Sequence, residues 1–305
     1  MKSIILIIDY FANSWPDWFP VFIESCRKNS TINWLIHTNC PEKINLPPNV
    51  EIKFFTEYEY CKKVSDSLGV YFYPSWNYKL VDIKPAYGKI WEEEIKEYDF
   101  WGYSDIDIIY GNLRDFLTDK LLSTKKIFST HNWCLAGHFS IFKNCKWSRE
   151  LFTRIKDWKK IFSSDLLFLF DEKIFIESIL PRYRIKIFNI FNYLKKFKYS
   201  INEMWTTPLT HIKWENKYEN HPTEWYLIDG KLTNNVDKHE HIYLHFMNYK
   251  KKSINLDRKY GEKAPWEDKK QISFVPEELI QNNLVISFDG IFSKDTFQYM
   301  KPNKN

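Results

Sequence analysis

Two aspartates stand one residue apart in the stretch "YSDIDIIYGN" (103–112), where Asp105 and Asp107 flank Ile106 at the end of an apolar run. In an extended strand, residues i and i+2 project to the same side, so both carboxylates can face one ligand. Hard oxygen donors of this kind suit Mg²⁺ or Mn²⁺, which keep other coordination positions for water and phosphate oxygens. The plain alternative is a pair of solvated turn acids. Against it stands the preceding "YDFWGY", whose aromatic residues mark a segment that must be buried.

Other stretches offer chemistry that could converge on this pair. In "HIYLHFMNYKKK", His245 closes an apolar run and Lys250, Lys251 and Lys252 follow. Imidazole is a competent third ligand for Mn²⁺, and the lysines suit a diphosphate; a structural histidine and a solvated charge run are the alternatives. "LVDIKPAYGKIW" holds Asp82, Lys84 and Tyr87, with Pro85 placed as the first residue of a helix and Lys84 either phosphate-facing or a surface lysine. In "CLAGHFSIFKN", Gly137 permits close backbone approach to a ligand and His138 can hydrogen-bond a sugar hydroxyl. Asp171 and Glu172 in "FLFDEKIF" read either as a catalytic base and sugar contact or as an acidic pair at a helix start. Finally, 184–198 places Ile187, Phe191, Leu194 and Phe197 along one side of a basic segment. Such a segment suits peripheral contact with an anionic membrane, and equally an ordinary core-facing helix.

The elements that must position these residues follow from periodicity. "SIILIID" (3–9), "NWLIHTN" (33–39) and "NVEIKFFT" (49–56) read as strands, and "FWGYSDIDIIYG" as a further strand with its exit. Between them, "WPDWFPVFIESCRKN", "EYEYCKKVSDSLG" and "PAYGKIWEEEIKEYD" read as helices, the second stopped by Gly69. Strand–helix alternation predicts an α/β fold with a mostly parallel sheet flanked by helices, and ligands in such sheets collect at the carboxyl ends of strands. After about residue 145 the pattern loosens. "SRELFTRIKDWKKIF" reads as a helix, "EWYLIDGKLTNN" as a hairpin around Asp229-Gly230, and "HEHIYLHF" as a late strand. One domain is expected over 1–305, with a ligand-binding half (1–145) and an elaborated C-terminal half (146–305).

At 305 residues the chain can bury a sizeable core, and an 18% aromatic content excludes a disordered or fibrous class. A net charge of +5 gives no ground for a nucleic-acid partner. Five cysteines, an odd number with no CxxC pair, argue against zinc or a disulfide framework and point to a reducing, cytoplasmic setting. Asp9 interrupts the N-terminal apolar run, which reads as a buried strand and not a signal peptide. No stretch reaches the ~18 apolar residues of a membrane span.

The order of these stretches, "DIKPAYG", then "GYSDIDIIYGNLRDFL", "GHF", a "DE" pair and a late "HF", resembles the GT-A glycosyltransferases of bacterial surface-polysaccharide clusters, especially a capsule-associated group. The likeness covers most of residues 1–250. This chain has "DYF" where that group has "PYF", and it differs after "HF". The resemblance implies a GT-A (Rossmann-like) fold, Mn²⁺ or Mg²⁺, a nucleotide-sugar donor (a UDP-sugar first) and a saccharide or lipid-linked acceptor. It implies metal ligation by Asp105, Asp107 and His245, and places Asp9 and Tyr10 near the nucleoside. Lys84 and Lys250 would face the phosphates, with Tyr87, Ile106 and Gly137 around the donor. His138, Asp171 and Glu172 would approach the sugar or acceptor, in a hexosyltransferase acting in the cytoplasm or on the inner membrane face. An inverting enzyme needs Asp171 or Glu172 as base; a retaining one does not. Two other readings stand beside it: a non-catalytic carbohydrate-binding protein on the same fold, and a Mg²⁺-dependent phosphotransferase. The second is disfavoured by Ile108 and Ile109 after the acid pair and by the pair's distance from the first strand.

Overall fold

A computed structural model describes residues 1–41, 44–130, 134–175, 178, 198–200, 222–246, 249, 273–275, 280, 283–287 and 289–295. The chain forms two compact units: residues 1–15, 30–105 and 117–202 make the first, and 16–29, 106–116 and 203–305 the second. In chain order the strands up to residue 200 are β1 (Ile4–Tyr10), β2 (Asn33–Thr38), β3 (Val50–Phe54), β4 (Phe100–Ser104), β5 (Ile108–Tyr110), β6 (Ile127–Ser129), β7 (Phe139–Lys143) and β8 (Lys198–Ser200).

The first unit is built on a seven-stranded sheet of order β3-β2-β1-β4-β7-β6-β8. β3, β2, β1 and β4 run parallel, β7 runs antiparallel between β4 and β6, and β8 is parallel to β6. The expected mostly parallel α/β sheet is thus present. β1 reads "IILIIDY", and Ile4 to Ile8 are all buried, as a run of β-branched residues covered on both faces must be. Chain order reverses between β1 and β4, whose residues Ile7 and Tyr103 are paired. A crevice outside the carboxyl ends of two such strands is where α/β sheets bind ligands. Gly102 on β4 is required there, because a Cβ would meet the Ser140 carbonyl oxygen at 2.5 Å.

Helix α2 (Glu57–Leu68; the preceding α1 is Phe19–Arg27) packs Tyr60, Val64 and Leu68 into the core at helical spacing. It starts with a Thr56–Glu59 capping box and stops at Gly69, whose φ of 61° is left-handed. The expected helix from Pro85 onward is instead broken. A 3₁₀ segment, Asn77–Ala86, contains Pro85 and is followed by α3 (Tyr87–Ile90) and α4 (Glu92–Ile95). Tertiary contacts impose this. Lys79 Nζ pairs with Asp82 at 2.8 Å with neither side chain exposed, and Asp82 also accepts from the Phe168 and Phe170 amides at 3.0 and 2.8 Å. At the break, Trp91 stacks on His37 at 3.8 Å. The expected long helix over 148–162 is likewise short pieces, Lys146–Arg149, Leu151–Arg154 and Trp158–Phe162, folded so that Phe152, Trp158 and Phe162 pack edge and face together.

The second unit contains β9 (Glu224–Ile228), β10 (Lys231–Asn234), β11 (Tyr243–His245), β12 (Ser273–Phe274), β13 (Leu284–Ser287) and β14 (Gly290–Ser293). Five of these form a sheet of order β10-β9-β13-β14-β12, and β11 pairs antiparallel with β5. The β9–β10 hairpin turns at Asp229 and Gly230, both with positive φ, as the Asp-Gly pair predicts. Asn29 ends the α1 region with its amide donating to the Ser25 and Gly111 carbonyls and accepting from the Leu113 amide, which fixes the exit of β5. The five cysteines are free thiols. No helix among the described residues is long and apolar enough to cross a membrane.

Removing the Asp82 carboxylate leaves a fully buried ammonium without its counter-charge. Asp82→Ala is expected to cost about 3–5 kcal/mol of stability, measured by urea unfolding. Lys79→Met combined with Asp82→Leu is expected to recover part of that loss.

Candidate active site

β4 ends at Ser104 and β5 begins at Ile108, so Asp105, Ile106 and Asp107 lie on the connection and not within a strand. This differs from the extended arrangement expected above. The physical reason lies in the backbone partners. The Asp105 amide donates to the His138 carbonyl (3.1 Å), while the Asp107 carbonyl accepts from the Phe246 amide (3.1 Å). The chain passes from the first unit to the second between Asp105 and Ile106.

In the first unit the predicted residues Lys84, Asp105, Gly137, His138 and Asp171 come together at the carboxyl end of β4. Lys84 is 7% exposed, and its ammonium donates to Asp105 Oδ1 at 2.5 Å and to the Gly137 carbonyl at 2.8 Å. Asp171 Oδ2 is 3.9 Å from the same nitrogen. Gly137 lets the Asp171 carboxylate lie against the backbone, where a Cβ would displace it. His138 is buried and contributes its carbonyl to the Asp105 amide. The loop bearing Gly137 is braced by Ser140, which donates to Ser129 and the Ala136 carbonyl, and by the Ala136 amide on Ser129.

Asp171 sits in a single turn of π-helix, Phe170–Ile174, entered through Leu169 at φ 52°, an unfavourable left-handed conformation for leucine. Asp82 holds the Phe168 and Phe170 amides, and Tyr103 donates to the Asp171 carbonyl at 3.2 Å, so the turn is fixed from two sides. Burial pushes the Asp171 carboxyl up to about 8; Lys84 opposes the shift, and Glu172, Asp105 and Asp82 add to it. Among the described residues its Oδ1 has no hydrogen-bond partner. Glu172 is half-buried beside it.

Asp9 and Tyr87 belong to a different cluster at the end of β1. Asp9 Oδ1 is 2.7 Å from His37 Nδ1, and Tyr60 donates to Asp9 Oδ2. The Asp9 side chain is 1% exposed, and the phenols of Tyr60 and Tyr87 are pushed well above their usual value by burial and then by Asp9. Tyr10 is more open and stacks on Trp15 at 5.6 Å with an 11° interplanar angle. His37 and Tyr60 were not expected from the sequence. Their pairing with Asp9 spans 28 and 51 residues, and no local spacing announces it.

In the second unit, β11 pairs with β5 so that His245 is opposite Ile108. His245 Nε2 then lies 3.5 Å from Asp107 Oδ2, both side chains being nearly buried, and Ile106 is buried next in the chain. Lys250, with Lys251 and Lys252, and the basic segment 184–197 lie outside the described residues.

The match to a family model runs over residues 6–283 and takes in all three of these groups. The chain belongs to the DUF6625 family, a family of unknown function. No curated protein matches it. Among solved structures it is similar to the galactosyltransferase LgtC in complex with donor and acceptor sugar analogs, at 12% identity and TM-score 0.33 over 57% of this chain and 69% of that one. An active-site mutant of LgtC aligns at 9% identity and TM-score 0.34, covering 66% and 88% of the two chains. Mouse xyloside xylosyltransferase 1 aligns at 10% and 0.36, covering 67% and 86%.

The DUF6625 chain thus keeps a carboxyl that holds its proton in the folded state up to about pH 8, whereas the unfolded chain releases it near pH ~4. Between those values the unfolded state binds fewer protons, so this group makes stability fall as pH rises, by at most about 1.4 kcal/mol per pH unit. Asp171→Asn removes that dependence. Urea unfolding in chelator at about pH 5 and about pH 8 is expected to show the variant gaining on the parent at the higher pH; equal slopes would contradict it.

Proposed function

We propose that the protein is a metal-dependent glycosyltransferase of the hexosyltransferase class. It moves a sugar from a nucleotide-sugar donor, a UDP-sugar first, to a saccharide or lipid-linked acceptor in surface-polysaccharide synthesis. The observation that carries the reading is the pairing of Asp107 with His245 two residues beyond Asp105, whose own carboxylate is gripped by Lys84. Asp107 and His245 offer an oxygen and a nitrogen within 4.8 Å of each other, and Asp105 precedes Asp107 by two positions. Two carboxylates and an imidazole fit Mn²⁺ or Mg²⁺ in donor type, and Asp105, Asp107 and His245 would hold it. When bound, the cation would offset the negative charge that builds on a leaving diphosphate.

The protein groups divide the remaining work. Lys84 brings a buried positive charge to the carboxyl end of β4, where phosphate oxygens need it. Asp171 is the base of an inverting reaction: its proton affinity lies close to neutral pH, the condition for efficient proton transfer, and its Oδ1 is uncommitted among the described residues. The proton would pass from the acceptor hydroxyl to that carboxylate as the hydroxyl oxygen bonds the sugar carbon and the sugar–phosphate bond breaks. The Tyr10–Trp15 stack offers a flat surface near the strand end for the base of the nucleotide.

Calorimetric titration of UDP in the presence and absence of Mn²⁺ tests the metal. The parent is expected to bind UDP about tenfold or more tightly with Mn²⁺, and Asp107→Ala to lose that gain. Identical affinities with and without the ion would contradict the reading. Asp171→Asn is expected to keep UDP binding and lose about 10²-fold or more in transfer.

A further inference from the structure

The stretch "GVYFYPSWNY" (69–78) exposes aromatic side chains that contribute nothing to the core. Tyr71 is 70% exposed, and Tyr73, Trp76 and Tyr78 are exposed as well; Tyr58, on α2, adds a fifth ring at 64%. The rings form two groups, Tyr71–Tyr73 at 5.0 Å with Tyr58–Tyr73 at 6.1 Å, and Trp76–Tyr78 at 5.7 Å, joined by the short run 73–76 of the chain. Aromatic surface of this extent signals a binding face. We infer that Tyr58, Tyr71, Tyr73, Trp76 and Tyr78 form a platform for an oligosaccharide acceptor, receiving the sugar units beyond the one that reacts.

The platform is preformed. Phe72 points inward, 1% exposed, and its amide donates to Ser65 Oγ at 3.0 Å, which leaves its neighbours Tyr71 and Tyr73 on the outside. Asp165 accepts from the Ser75 amide and, through its carbonyl, from the Trp76 indole, both at 3.0 Å. Rings held in place lose little entropy on binding.

The occupant is read from chemistry and position. Each side chain pairs an apolar face with a hydroxyl or N–H, which suits the C–H faces and hydroxyls of sugars. Exposed Glu57 and Glu59 flank Tyr58, and Lys62 on the same helix is paired with Asp66, so the face carries no excess positive charge for an anionic bilayer. Trp76 precedes the 3₁₀ segment Asn77–Ala86, which carries Tyr78 near its start and Lys84 near its end, so from Tyr78 to Lys84 the chain advances only about 12 Å.

The inference rests on the transferase reading for the acceptor's role, while its test does not need catalysis. A panel of neutral and acidic hexasaccharides, the matching monosaccharides and phosphatidylglycerol vesicles would be titrated into the full chain in chelator. At least one hexasaccharide is expected to bind, about tenfold or more tightly than its monosaccharide, and Tyr71→Ala/Tyr73→Ala to lose that margin while UDP–Mn²⁺ binding stays unchanged. Trp76→Phe is expected to retain most of it. Absence of binding across the panel, an unaffected double variant, or loss of vesicle binding or self-association in its place would overturn the platform. Asp107→Ala that spares UDP binding but leaves hexasaccharide binding intact would overturn the transferase reading alone.

Discussion

The buried ammonium of Lys84 is the charge on which the site depends. Asp105 and Asp171 both lie within ion-pair distance of it, and Glu172 and Asp82 add their fields at Asp171. Carboxylates crowded at low exposure repel one another and are costly to ionise. Lys84 pairs with Asp105 at 2.5 Å, while Asp171, farther from the ammonium at 3.9 Å, is driven by burial to keep its proton. One cation therefore lies against two acids, and the proton affinity of Asp171 falls in the range that suits acid–base chemistry near neutral pH.

Holding that ammonium in place is the task of the surrounding backbone. The 3₁₀ segment carrying Lys84 is tied by Lys79 and Asp82 to the 166–170 stretch, because Lys79 also donates to the Ile161 and Leu166 carbonyls and Asp82 takes the Phe168 and Phe170 amides. The same ties deliver Asp171 through the strained Leu169. Fully buried pairs of this kind contribute little net stability but are severely missed when one partner is removed. Their value here is positional: a single segment sets Lys84, Asp171 and, at its other end, the exposed Trp76.

Much of this was legible in the residues. β1 declares itself through an aliphatic, mostly β-branched run and β4 through buried aromatic residues, because a central strand has no polar face to show, while edge strand β3 shows alternation. The Asp229-Gly230 hairpin is readable because its turn demands positive φ at both positions. Lys84, Asp105, Gly137 and Asp171 were selected by residue type, and the fold brings them within reach of one another. Three things were not readable. The 3₁₀ course of 77–86 is imposed by a buried ion pair whose other partners lie over eighty residues away. Asp105 and Asp107 sit on a connection because each half of it is claimed by a different backbone partner. Asp9 is engaged by His37 and Tyr60, residues that only sheet and helix packing bring near.

The central claim, a divalent cation held by Asp105, Asp107 and His245, is tested most directly by anomalous diffraction from crystals grown with UDP and Mn²⁺. The account predicts one strong manganese peak within coordination distance of those three side chains and of the diphosphate. A peak held by other residues, or a diphosphate bound with no manganese beside Asp107, would contradict it.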